Sequence, residues 1–136
     1  MNSKPLPADF HWVVARSKCS IQQIFAEIEL GVRDDADKAQ SLVPPNERTK
    51  FSVSKSGNRF GVIHLAEPHI PPIATVTFSC VGDGIHVSRN DEKEPFLVAT
   101  LTLNNDGECK LKVGKDELDQ WHFRRMALEH LFFGPL

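Results

Sequence analysis

No apolar run near the start of this sequence is long enough to cross a membrane or to form the core of a signal peptide. The longest, Trp12 to Ala15, falls far short of the roughly twenty residues a span needs. No membrane is therefore expected as a partner, and the cytoplasm is the expected location. A basic excess is missing too. Sixteen Lys and Arg stand against 18 Asp and Glu, for a net charge of -2. Nucleic-acid binders carry a surplus of cations that displaces counterions from phosphates, so no nucleic acid is expected.

Cysteine is scarce. Cys19, Cys80 and Cys109 are odd in number and show no CxxC spacing, which indicates neither a disulfide framework nor a zinc knuckle. The sequence also lacks a Gly-x-Ser-x-Gly elbow, a P-loop, a dinucleotide fingerprint and the HExxH spacing. No cofactor and no metal are expected.

What is present suffices for one domain over residues 1–136, with 40% apolar and 25% charged residues. A chain of this size buries about two-thirds of its unfolded surface, so it is expected to fold without disulfides or metals. Residues 1–18 read as an extended arm ending in a short strand, His11 to Ala15. Ser20 and Gln23 form a capping-box pattern, and Ile21, Ile24, Phe25 and Ile28 follow on one helical face. Gly31 is the expected stop. Residues 32–47, with Asp34, Asp35 and Asp37 and the pair Pro44-Pro45, read as an exposed acidic connection.

From Thr49 to Val113 the period changes to two. Phe51 and Val53, then Ala74, Val76, Phe78 and Cys80, then Leu97, Ala99, Leu101 and Leu103, alternate with polar residues. Glycine turns at Gly57, Gly82, Gly84 and Gly107 punctuate the strands, and Glu67 to Pro72 reads as a proline-rich loop. Short connections favour antiparallel neighbours. The expected fold is α+β: a helix, an antiparallel meander of about six strands, and a C-terminal helix from about Asp116 to Phe133. Both helices pack on one face of the sheet and the other face stays wet.

The wet face offers Ser52, Ser54, Thr75, Thr77, Ser79, Thr100, Thr102, Lys110 and Lys112 but none of the aromatic residues that stack bases. Cys80 and Cys109 fall on the apolar register, where a thiol is inert. The basic run Arg48, Lys50, Lys55, Arg59 and the acidic stretches 34–37 and 91–94 read as solvated surface.

The C-terminal helix carries more apolar surface than one contact can bury. Leu118, Trp121, Leu128 and Phe132 form a stripe, with Phe123, Met126 and Phe133 on the far side. A helix apolar on several sides is covered on several sides. Aromatic, Met and Arg side chains are enriched in interface cores, so Trp121, Phe123, Arg124, Met126 and Phe133 are the expected interface residues. The expected function is a non-enzymatic protein-interaction module, a homodimer or a partner-binding helper of the chaperone or immunity type. The alternative is a small-ligand binder or modest enzyme using a pocket with His64, His86 and Asp83.

Overall fold

The computed structural model describes residues 6–66 and 72–134. Ser20 opens the main helix, α2 (Ile21–Ser41), by accepting a hydrogen bond from the Gln23 amide at 3.2 Å, which satisfies one of the amides a helix start leaves without a partner. The helix does not stop at Gly31. Val32, Ala36 and Ala39 continue the buried face begun by Ile21, Ile24, Phe25 and Ile28. The stretch expected as an acidic connection is therefore helical as far as Ser41. One glycine costs a helix about 1 kcal/mol, and the continuing apolar face outweighs that. Gly31 serves instead as a crossing point. A Cβ there would lie 2.6 Å from Nη1 of Arg124.

Upstream, the expected strand at His11 to Ala15 is a short helix, α1 (Trp12–Lys18), capped by His11 Nδ1 accepting from the Val13 amide at 3.2 Å. The β-branched pair Val13-Val14 mimics a strand in composition. Here α1 buries none of its residues.

Among the described residues, seven strands form one sheet in sequence order: β1 (Thr49–Ser56), β2 (Arg59–Ala66), β3 (Ala74–Val81), β4 (Gly84–Arg89), β5 (Leu97–Leu103), β6 (Cys109–Val113) and β7 (Asp116–Leu118). Every neighbouring pair is antiparallel. The chain is therefore α+β, with helices before and after the strands. The seventh strand occupies residues expected to open the last helix. Gly114, at φ +60°, turns the chain so that Asp116 pairs with Val113. The helix, α3 (Gln120–Phe133), starts only after Asp119. The proline-rich loop expected at Glu67 to Pro72 lies almost wholly outside the described residues.

Helices α2 and α3 pack on one face of the sheet and on each other. Val76, Phe78 and Leu111 are buried on that face and Thr100 is exposed on the other, as the alternation predicts. Leu101, Thr77 and Lys110 are each half-buried. A row of rings runs through the core from helix to helix. Phe25 meets Phe60 at 5.1 Å, Phe60 stacks on Phe78 at 4.8 Å, and Phe78 meets Phe123 edge-on at 6.2 Å. Each such pair is worth about 0.5–1.5 kcal/mol beyond the area it buries.

The edge strand β1 is tied to α2 at both ends. Gln40 donates to the Thr49 carbonyl at 3.0 Å and accepts from the Phe51 amide at 2.7 Å. Further along, Glu29 sits between Arg33 at 3.0 Å and Lys55 at 3.2 Å. Burial opposes the charge on this carboxylate, but its bonds to Arg33 and Lys55 outweigh that and hold it below the usual carboxylate range.

The cysteines depart furthest from expectation. Cys19, between α1 and α2, and Cys109, opening β6, form a disulfide across 90 residues, with Cα atoms 5.4 Å apart. No local spacing announces it, because sheet and helix bring the two ends together. Cys80 is free and half-buried.

Candidate functional site

The two sets of residues singled out from the sequence fare differently. The histidine pocket does not assemble. His64 lies on the helix-facing side of β2, buried with its ring 4.9 Å from Phe51. His86 pairs across strands with Ser79 and Val98, on the opposite face of the sheet. Asp83 sits exposed in the turn between β3 and β4. One sheet separates the two imidazoles, so they cannot share a substrate.

His64 nonetheless has one unusual feature. Its Nε2 is buried and has no hydrogen-bond partner, and burial holds its pKa below the ordinary histidine value. It lines a cavity of about 260 Å³ with Arg89, Asn90, Ala127 and His130. Among the described residues no group of three or more His, Cys, Asp or Glu could hold a metal ion.

The C-terminal helix divides the expected interface residues. Phe123 is fully buried in the core and is not available to a partner, so that expectation is corrected. The reason lies in where α3 begins. Its contact with the sheet is made by Phe123, Ala127, Leu128 and Leu131, which share one side at 100° per residue. Three of the other four sit outside. Trp121 is 50% exposed, Met126 48% and Phe133 70%. Arg124 lies half-buried at the α2 crossing, where its Nε donates to Asp35 at 2.7 Å.

Trp121 and Phe133 border a groove of about 340 Å³ between α3 and the second half of α2, together with Leu42, Phe132, Lys38 and Arg125. Leu42, just past the α2 terminus, is 70% exposed. Charges of both signs ring the groove: Asp35 and Glu129 alternate with Lys38, Arg124 and Arg125. Much of the acidic stretch that read as solvated surface is thus paired within the molecule, as Asp34 is with Lys38 at 2.7 Å and Asp35 with Arg124.

A second exposed apolar set lies in the run that reads as a strand in the sequence. Trp12, Val13 and Val14 of α1 all face solvent, and three consecutive apolar residues carry no period that would tell a helix from a strand. The wet face of the sheet carries a cleft of about 370 Å³ lined by Arg59, Thr75, Thr77 and Asp91 among others.

Comparison with known protein families, with curated proteins and with solved structures finds no match to this chain. Among the described residues no helix is long and apolar enough to cross a membrane.

Proposed function

We propose that this chain is a non-enzymatic protein-interaction module that engages a protein partner through the outer side of α3 and the groove beside it. One observation carries the reading. Trp121, Phe133 and Leu42, each at least half exposed, gather on one groove rimmed by charges of both signs. Large apolar side chains clustered on a surface mark interaction sites, and aromatic anchors inside a polar rim are the usual anatomy of one.

The test is site-specific photo-cross-linking. A benzophenone amino acid at Met126, exposed beside the groove, should form protein adducts, whereas the same group at Thr100 on the wet sheet face should not. Adducts from Thr100 or from Val13 of α1, with none from position 126, would refute the assignment.

The alternative, a small-ligand binder, draws support from the lone buried Nε2 of His64 beside its cavity. It would have to use that cavity without His86 or Asp83. A perturbation of the His64 imidazole signal by small carboxylates, absent in Arg89→Ala, would favour it.

Composition points to the cytoplasm and the Cys19–Cys109 bond points away from it, because such bonds persist in oxidising compartments. We read the protein as one that spends its working life under oxidising conditions. Thiol counting on protein purified from its natural source decides between the two locations.

A further inference from the structure

We infer that the partner on this surface is a second copy of the same chain, docked antiparallel about a two-fold axis that passes α3 at the level of Ala127. The inference rests on the interaction reading above and names its partner. Trp121, Arg125, Glu129 and Phe133 follow one another at four-residue intervals along the exposed side of α3. Residues so spaced form a continuous ridge on a helix. The ridge runs twelve residue steps from Trp121 to Phe133, or about 18 Å. Read in either direction it has the same form: aromatic, charge, opposite charge, aromatic.

That pattern is the requirement of an isologous contact, in which residue i meets j and j meets i. An antiparallel copy centred on Ala127 sets Trp121 against Phe133 and Arg125 against Glu129, each twice. A parallel copy would set Arg125 against Arg125 and Glu129 against Glu129. The charges therefore select one orientation and exclude the other.

In the isolated chain Arg125 and Glu129 already pair with each other, Nε to Oε2 at 2.7 Å, and both remain more than half exposed. Bringing two such pairs together across the axis closes a ring of four alternating charges between two aromatic contacts. A foreign amphipathic helix would need only the apolar ends. The self-matching centre is what points to a second copy. Met126, exposed on the same outer side, and Leu42 across the groove widen the apolar contact.

Sedimentation equilibrium of the full chain tests this with two charge reversals. The wild type should dimerise. Arg125→Glu and Glu129→Arg should each weaken the dimer by at least about tenfold, since each sets like charges opposite one another twice. The double reversal, Arg125→Glu with Glu129→Arg, rebuilds the pattern in mirror sense and should restore affinity to within about threefold. Most decisive is a mixture of the two single variants, which should form a one-to-one heterodimer tighter than either variant alone. A loss of folding in a single variant could not produce that rescue.

A monomeric wild type, a dimer indifferent to both reversals, or a mixture that forms no heterodimer would each overturn the inference. The cross-linker at position 126, which leaves Arg125 and Glu129 in place, separates this failure from that of the underlying reading. Adducts to other proteins, with none at twice the chain mass, remove the second copy and leave the interaction surface. No adduct at all removes both.

Discussion

Breaking the Cys19–Cys109 bond is expected to cost this fold much of its stability. The bond closes a loop of 90 residues. In the chain-entropy treatment a cross-link of that span withdraws about 15.5 cal/mol/K from the unfolded ensemble, or about 4.6 kcal/mol at 25 °C. Measured disulfide contributions more commonly reach about 2–4 kcal/mol, so the expected loss lies between about 2 and 4.6 kcal/mol. With a urea slope of about 1.5 kcal/mol/M, the unfolding midpoint should fall by about 1.3–3 M. The assay is a pair of urea titrations, one oxidised and one with reductant, repeated on Cys19→Ser with Cys109→Ser. That double variant should match the reduced wild type whether or not reductant is present. Thiol titration in denaturant supplies an independent check. The oxidised chain should show a single reactive thiol, Cys80, and the reduced chain all three. Coincident midpoints, or three thiols without reductant, would refute the reasoning.

Three further outcomes follow from burial and register. Phe123→Ala should cost about 3–5 kcal/mol, as removal of a buried ring does, while Met126→Ala should stay within about 0.5 kcal/mol; equal effects in urea would mean that α3 is rotated about its axis. Leu111→Ala should cost about 2–5 kcal/mol and Thr100→Ala little, and the reverse ranking would show a one-residue slip of the sheet. His64 should make stability depend on pH. Burial lowers its folded pKa, so below the unfolded value of about 6.5 the unfolded chain binds more protons. Its contribution is therefore complete above that pH and is lost as pH falls toward the folded pKa. Melts between pH 5 and 7.5 should show the decline, and His64→Phe should flatten it.

The parts of this fold that could be read in the sequence are those where one residue's environment repeats at a fixed interval. Val76 and Phe78, or Leu97 and Ala99, alternate with polar neighbours because one side of each strand meets helices and the other meets water. The antiparallel order followed from the short glycine turns between them. What escaped notice was set by a partner distant in the chain. Gly31 has the composition of a helix stop, and only Arg124, far along the sequence, makes it a mid-helix crossing. Asp116 to Leu118 carries charges suited to a helix start, yet β6 recruits those residues as a strand edge. Cys19 and Cys109 have no pattern between them at all. On α3, the exposure of Met126 and Phe133 was legible because the helix has more apolar surface than a sheet can take. Phe123 was misplaced because Leu118, counted as part of the sheet-facing stripe, belongs to β7, and the side of α3 that meets the sheet is the one with Phe123, Ala127 and Leu131.

The strand order has a consequence for how the molecule is made. Each strand pairs only with its neighbours in sequence, so during synthesis every hairpin can close as soon as its second strand emerges, at little cost in chain entropy. The apolar side of the growing sheet is another matter. Half of its cover, α3, follows the seventh strand and leaves the ribosome after the whole sheet has formed. Until then Phe78 on β3 has only α2 above it, and Leu111 on β6 still lacks its contact with α3, although both end buried. A nascent chain halted before Gln120 would therefore present a nearly finished sheet with an uncovered greasy flank, the species on which holding chaperones act.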